Sequence, residues 1–83
     1  MNPQSFTAVL RIEKTGRGGK TVTVIDKLPR SGDYLSRLAK MLKTRCGSGG
    51  TYKIEEFGMV EIQGDKREMI RAIFEKEKIS YKG

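Results

Sequence analysis

Histidine is absent from this chain of 83 residues, and cysteine occurs once, at Cys46. One cysteine cannot form an intramolecular disulfide, and a Cys/His zinc cluster is excluded without histidine. No signal-peptide core follows Met1, and no apolar run approaches the ~18 residues that span a membrane. We therefore expect a cytoplasmic protein in a reducing compartment, with no membrane partner.

The chain also lacks the residue sets on which most enzymes depend. Histidine, the side chain that most often serves as a general base, is absent. The lone candidate thiol nucleophile, Cys46, lies at a predicted helix end without such a base. The neighbouring carboxylates Glu55 and Glu56 fall in a predicted turn with no evident catalytic partner. We predict that the protein is not an enzyme and uses no cofactor. A small phosphatase with an arginine loop is the least favoured alternative.

Positive charge is abundant and unevenly placed. The net charge is +7, and through Arg45 ten basic residues stand against three acidic ones, whereas from Cys46 onward seven oppose seven. Clustered positive charge gains affinity for a polyanion by releasing counterions from its phosphates. The asymmetry favours a nucleic-acid partner over the alternative, a solvated basic surface.

The first part of the chain predicts a strand hairpin. Residues 1–5 carry no period and indicate a flexible tail, whereas residues 6–83 suit one small domain. Apolar and polar residues alternate along two predicted strands, from Phe6 to Glu13 and from Lys20 to Ile25. Between them, Lys14-Thr15-Gly16-Arg17-Gly18-Gly19-Lys20 places three cations on a glycine-rich tip. A finger that approaches a phosphate backbone is favoured over a plain connection.

A helix is predicted from Gly32 to Cys46, with Ser31 as its N-cap and Asp33 in the first turn. One side of this helix is apolar, and it is formed by Tyr34, Leu35, Leu38, Ala39, Met41 and Leu42. The other side presents Arg37, Lys40 and Lys43. By themselves these three cations are consistent either with solvation or with nucleic-acid contact.

The helix ends at the glycine cluster Cys46-Gly47-Ser48-Gly49-Gly50-Thr51, where Gly47 suits a left-handed C-cap. A phosphate cradle is disfavoured, because such loops follow a strand and begin a helix. Two strands, Thr51 to Ile54 and Met59 to Gln63, flank the turn Glu55-Glu56-Phe57-Gly58. Phe57 is predicted to cover the core edge, and an exposed partner contact is the alternative.

A second helix is predicted after Gly64, with Asp65 and Glu68 forming a variant of the capping box. Its buried stripe comprises Met69, Ile70, Ile73 and Phe74, and a short last strand contains Ile79 and Tyr81. The order β-β-α-β-β-α-β predicts an α+β two-layer sandwich. In it, two helices cover one face of a mixed or antiparallel sheet of four to five strands.

Three segments of this chain resemble the translation initiation factor 1 family of eukaryotes, archaea and many bacteria. They are the basic hairpin from Lys14 to Lys20, the join from Cys46 to Thr51, and Glu61-Ile62-Gln63-Gly64-Asp65-Lys66-Arg67. The third segment is the most specific. Its strand ends in Ile-Gln-Gly-Asp and is followed by a basic pair at a helix start, which is close to the family's pattern in both order and spacing. The resemblance implies a βαββαβ-like domain, an α-β plait, that binds the small ribosomal subunit near the peptidyl site. It also implies a role in rejecting wrong start codons and wrong initiator complexes.

The resemblance further implies roles for individual residues. Ribosomal RNA contacts would fall on Lys14, Arg17, Lys20, Arg37, Lys40 and Lys43, and the family motif on Gly64, Asp65, Lys66 and Arg67. The turn Glu55, Glu56, Phe57, Gly58 would face initiator tRNA, although it is shorter than in the eukaryotic factor. The cysteine-rich extension of many archaeal members and the long eukaryotic tail are missing, which favours a short bacterial member. The implied partners are the small subunit, initiator tRNA and other initiation factors. We expect the protein to be a monomer.

A different class of function remains open. Val9, Ile25 and Met59 are predicted to point away from the helices, so that they form an apolar sheet surface. Such a surface suits a small protein-binding module that has no ribosomal role. Ordinary packing of neighbouring side chains on a sheet is the simpler explanation.

Overall fold

The secondary structure follows the predicted order in a computed structural model, which describes residues 6–15 and 19–83. The strands are β1 (Ala8–Thr15), β2 (Lys20–Leu28), β3 (Gly50–Ile54), β4 (Gly58–Gln63) and β5 (Tyr81–Lys82). The helices are α1 (Gly32–Cys46) and α2 (Arg67–Glu77). The predicted tail at residues 1–5 and the hairpin residue Arg17 lie outside the described residues.

The five strands form one mixed sheet in the order β3-β4-β2-β1-β5. β1 and β2 form an antiparallel hairpin that closes with Thr15 opposite Lys20. β4 pairs antiparallel with both β2 and β3, whereas β5 joins the edge of β1 in parallel. The predicted α+β sandwich with a mixed sheet is thereby confirmed.

Both helices cover the same face of the sheet, and the core lies between these two layers. Sheet residues such as Leu10, Ile25, Val60 and Ile62 meet the apolar faces of the helices. From α1 come Leu35, Leu38, Ala39, Leu42 and Cys46, and from α2 come Ile70, Ile73 and Phe74. Burial of each large apolar side chain contributes about 1.5–3 kcal/mol. The face that the helices leave uncovered is called the open face below.

Two apolar residues lie where the sequence did not predict them. Ile25 is fully buried under the helices, because its register places it beside Leu10 and Val60. The prediction that Ile25 points away from the helices is therefore wrong. Its neighbour Val24 lies on the open face instead. Met69 is 44% exposed because it lies roughly a quarter turn from the centre of the buried α2 stripe.

The two helices begin in different ways. At α1, Ser31 Oγ accepts a hydrogen bond from the Tyr34 N–H at 3.2 Å, as predicted for its N-cap. Gly47 follows this helix in the predicted left-handed conformation, with φ of 63°. At α2, Lys66 holds the N-cap position and its own side chain makes no capping hydrogen bond. Asp65 lies one residue before the N-cap, where its carboxylate accepts the Arg67 N–H at 3.4 Å and pairs with the Arg67 guanidinium at 3.0 Å. The predicted capping box, with Asp65 as the N-cap, is therefore wrong.

A charged cluster occupies the open face beside the β1–β2 pairing. The Arg11 guanidinium bonds both Asp26 and Glu13, each at 2.7 Å, and the Lys27 N–H donates to the other Asp26 oxygen. Burial raises the pKa of the Asp26 carboxyl, but these hydrogen bonds outweigh burial and bring its pKa below the ordinary value. The cluster therefore stabilises the fold when Asp26 is ionised.

We expect Asp26→Asn to lower the free energy of unfolding by about 1–2 kcal/mol at neutral pH. Because the folded pKa is depressed, this stabilisation is present above the unfolded value near 3.8 and is lost as pH falls through the folded value. Urea unfolding of both proteins between about pH 7 and pH 2.5 measures the difference. A pH-independent difference would contradict the ionic role. Glu56→Gln is the control, since Glu56 is exposed and has no ion pair within the described part of the chain.

Candidate nucleic-acid interface

The three segments that carry the family resemblance meet at one end of the sheet, which we call the motif end. The Gln63 N–H donates to the Gly49 carbonyl at 2.9 Å, which joins the end of β4 to the glycine cluster. The Gly64 N–H donates to the Thr21 carbonyl at 2.7 Å, which joins the same residues to the base of the basic hairpin. Segments that are far apart in sequence therefore form one local structure.

Thr23 is the buried polar residue that connects these segments to α2. Its side chain is fully buried, and its hydroxyl donates to the Gly64 carbonyl at 2.7 Å. The same oxygen accepts the Lys66 N–H at 2.8 Å. The two bonds hold the start of α2 against the end of β4. Sequence reasoning placed Thr23 on a strand face but did not identify this role, because a threonine alternating with valines is ordinary in strands.

The glycines and charges of the family motif have local structural roles. Gly64 adopts φ of 89°, which other residues rarely adopt, and this conformation turns the chain from β4 toward α2. Asp65 and Arg67 form an exposed ion pair at 3.0 Å, and the hydrogen bond from Arg67 lowers the pKa of Asp65. The half-buried Lys66 lies near Cys46 at the end of α1, where its charge acts on the thiol.

The hairpin supplies exposed cations to the motif end. Lys14 and Lys20 are exposed on the two strands that flank the tip, and neither has a carboxylate partner among residues 6–15 and 19–83. The third predicted cation, Arg17, lies outside the described residues. Two of the three predicted cations, Lys14 and Lys20, are therefore available to bind phosphates.

Helix α1 supplies a second set of cations, the α1 stripe, formed by Arg37, Lys40 and Lys43. All three are exposed, as predicted, and they extend about 9 Å along the helix toward its end. Arg37 pairs with Asp33 at 3.1 Å across a solvated surface, which adds little stability. Lys40 and Lys43 have no such partner in the described part of the chain. Because α1 ends at the glycine cluster, the stripe leads toward the motif end.

The predicted tRNA-facing turn lies at the opposite end of the sheet. Glu55 and Glu56 are exposed there, between β3 and β4. Phe57 does not cover the core as predicted, because it is 39% exposed and lies under the Lys27 ammonium, 4.2 Å from the ring centre. Lys27 reaches it from an irregularity in β2, with φ of 62°. Gly58 packs so closely on the Pro29 carbonyl that a side chain would clash.

Among the described residues, ion pairing leaves unpaired lysines at the motif end. Asp65 is neutralised by Arg67, and Glu61 is paired with Lys53 at 3.5 Å. Lys14, Lys20 and Lys66 have no carboxylate partner among the residues that the structure describes. A polyanion that approaches this end therefore meets uncompensated positive charge.

The described residues contain no group of three or more Cys, Asp or Glu that could hold a metal ion. Cys46 is buried in the core, and burial raises the pKa of its thiol more than the nearby Lys66 lowers it. A buried thiol in that state is a poor nucleophile. Cys46 therefore packs as a small apolar side chain.

We expect Thr23→Val to lower the free energy of unfolding by about 2 kcal/mol, because it leaves the Gly64 carbonyl and the Lys66 N–H without their partner. Urea unfolding measures this loss. Thr23→Ser retains the hydroxyl and should recover much of the stability. Thr21→Val is the matched control on the same strand, and we expect it to change stability by less than about 0.5 kcal/mol. Equal losses in the Thr21 and Thr23 valine variants would refute the role of the Thr23 hydroxyl.

Comparison with known proteins identifies relatives along nearly the whole domain. An uncharacterized protein of Synechocystis is 45% identical over 75 residues, covering 90% of this chain and 65% of the relative. An uncharacterized protein of Haemophilus influenzae is 44% identical over 71 residues, covering 83% of this chain and 64% of the relative. A protein translation factor SUI1 homolog of Sulfurisphaera tokodaii is 36% identical over 76 residues, covering 92% and 72%. The chain thus spans less than two thirds of the length of the two bacterial relatives.

No helix among the described residues is long and apolar enough to cross a membrane. Residues 7–80 match the family described as Translation initiation factor SUI1. This description is more specific than the initiation factor 1 label of the resemblance, and it names a class of translation factors rather than of enzymes. The chain therefore belongs to the SUI1 family of translation initiation factors.

Proposed function

We propose that the protein docks on ribosomal RNA of the small subunit, near the peptidyl site, and promotes accurate selection of the start codon and initiator tRNA. The observation that carries this proposal is the charge arrangement of the described residues. Lys14, Lys20, Lys40 and Lys43 are exposed and have no carboxylate partner there, whereas Glu61 and Asp65 at the motif end are each paired. Membership of the SUI1 family supports the ribosomal setting.

The docking contacts act through charge and shape. Lysine ammonium groups bind phosphate oxygens without reading base sequence, and structured RNA is recognised largely by its shape and backbone. The hairpin cations and the α1 stripe belong to one positive surface in this proposal, and that surface lies against RNA. The protein acts as a monomer in the cytoplasm, where other initiation factors are its further partners.

The acidic turn has a separate role. Glu55 and Glu56 lie at the end of the sheet opposite the hairpin, so docking by the motif end leaves them directed away from the bound RNA. In that position, their charge repels a misplaced RNA and the exposed Phe57 is available to initiator tRNA or a factor. Fidelity in this proposal depends on the separation between a positive docking end and a negative sensing end.

The open face gives less support to the alternative of a protein-binding module. Val24, which takes the position predicted for Ile25, is fully buried by its neighbours. The ion pairs of Arg11 with Asp26 and Glu13 occupy the adjacent surface. Val9 and Met59 remain only half-buried there, so the apolar area is small and interrupted by charge.

Charge reversal tests where the RNA surface lies. We expect Lys40→Glu with Lys43→Glu to abolish co-sedimentation with purified small subunits, because two phosphate contacts become repulsions. Lys14→Glu, Arg17→Glu and Lys20→Glu together should have the same effect. Binding to large subunits should stay at background for all proteins.

The control for the α1 variant is Lys76→Glu with Lys82→Glu, which changes the net charge equally at exposed positions outside the proposed surface. This control should retain most small-subunit binding. Equal loss in the control would mean that only net charge matters, and retained binding in both test variants would contradict the proposal. The latter result would direct attention to a protein partner.

Salt dependence tests how many phosphates are contacted. If about four phosphates are neutralised, log affinity should fall against log salt with a slope of roughly −3 to −4. The measurement is a binding titration with fluorescent protein and small subunits at several salt concentrations. Lys40→Gln should make the slope shallower by about one unit. A wild-type slope near zero would refute docking by charge.

A further inference from the structure

The motif end also carries a cleft on the open face, away from α1. Its volume is about 520 Å³, which lies within the range of about 300–1,000 Å³ that small-molecule sites occupy. Strand β4 forms the floor through Glu61 and Gln63, β2 forms one wall, and the start of β3 forms the other. We call this feature the sheet-end cleft.

The register places five side chains of the cleft on the same face. Val22 lies opposite Gln63, and Thr51 lies opposite Glu61, while Lys20 is two residues before Val22. Glu61 and Gln63 alternate with the core residues Val60 and Ile62, so they must point to the open face. The cleft thereby combines five kinds of group on one face: an ammonium, an amide, a carboxylate, a hydroxyl and an apolar group.

The polar groups retain hydrogen-bonding capacity. The Gln63 side-chain amide has no hydrogen-bond partner among residues 6–15 and 19–83, and the residue is exposed. Within those ranges the Glu61 carboxylate makes one ion pair, with Lys53 at 3.5 Å, which leaves other lone pairs of the carboxylate able to accept. Lys20 is exposed at the cleft wall with no carboxylate partner in the same described ranges.

A glycine keeps the amide accessible. A Cβ atom at Gly49 would lie 3.5 Å from the Gln63 amide carbon and from its oxygen. A larger side chain at this position would extend over Gln63 from the side of β3. The backbone at Gly49 is not in the left-handed region, so the fold does not itself require glycine there. An open path to Gln63 is therefore a reason for glycine at position 49.

We propose that the sheet-end cleft binds a single nucleotide whose base carries an exocyclic amine. The Lys20 ammonium contacts the phosphate, and Val22 packs against the base. The Gln63 amide pairs with the base edge, and the Glu61 carboxylate accepts from the exocyclic amine, as carboxylates do from cytosine. The inference rests on the proposed function, because docking on RNA brings unpaired nucleotides to this end. Free mononucleotides share the same chemistry.

The test is an NMR titration of the full chain with AMP, CMP and UMP at millimolar concentration, followed through the Gln63 side-chain amide and the backbone amides of Thr21 and Gly50. We expect saturable shifts, with AMP and CMP binding about fivefold more tightly than UMP, since one hydrogen bond to the carboxylate is missing with UMP. Glu61→Gln should remove this preference. Absence of saturable shifts with any nucleotide or oligonucleotide would overturn the inference.

Gly49→Val provides a test that changes no charge. We expect it to weaken nucleotide binding at least about tenfold by covering Gln63, while the melting temperature stays near that of the wild type. Gln63→Ala should weaken binding about fivefold, and it serves if the valine variant does not fold. Wild-type affinity in both variants would place the nucleotide elsewhere and overturn the inference.

Two further experiments are needed. The first shows whether the nucleotide comes from RNA or is free in solution, and the second distinguishes failure of the cleft from failure of the proposed function. A single-stranded RNA tetranucleotide that binds far more tightly than its mononucleotides identifies RNA as the source, whereas equal affinities identify a free nucleotide. Gly49→Val should still co-sediment with small subunits, because the charged contacts of docking are intact. Nucleotide binding without subunit binding would refute the proposed function alone, and subunit binding without nucleotide binding would refute the cleft alone.

Discussion

The arrangement of the motif end depends on one buried hydroxyl. Thr23 bonds the Gly64 carbonyl and the Lys66 N–H with a single oxygen, so the end of β4 and the start of α2 have a fixed relation to the centre of the sheet. Gln63 and Gly64 then bond the glycine cluster and the hairpin base through their backbone groups. Side chains on the hairpin, on α1 and on β4 acquire defined relative positions from these four hydrogen bonds.

This framework separates the charges that build the fold from those that remain free. Arg11, Arg45 and Lys53 are engaged with carboxylates and connect neighbouring elements. Lys14, Lys20, Lys40 and Lys43 have no such partner among the described residues, and their charge is available to a polyanion. Each ion pair removes one charge of each sign, so pairing leaves the net charge of +7 unchanged, and the unpaired lysines contribute to that excess.

Periodicity predicted the element order and the exposed cations well, because both follow from which residues alternate or recur. Both bounds of α1 were predicted from the Ser31 cap and the Gly47 C-cap, which are local signals. Errors arose where tertiary context decides. Alternation cannot show which face of a strand the helices cover, and Ile25 was therefore assigned to the wrong one. The N–H of Lys66 is satisfied by the distant Thr23, so α2 begins without the capping box that its sequence suggests.

Under the two proposals, the hairpin–α1 surface and the sheet-end cleft would recognise different properties of a nucleic acid. Lysines on the hairpin and α1 would contact phosphates, which every RNA presents, so this surface would supply affinity and orientation but little discrimination. The sheet-end cleft presents an amide and a carboxylate, which distinguish one base edge from another. Because Lys20 lies at the hairpin and also lines the cleft, a phosphate bound there is next to both surfaces. In the combined proposal, charge brings the RNA to this end and β4 then selects a nucleotide.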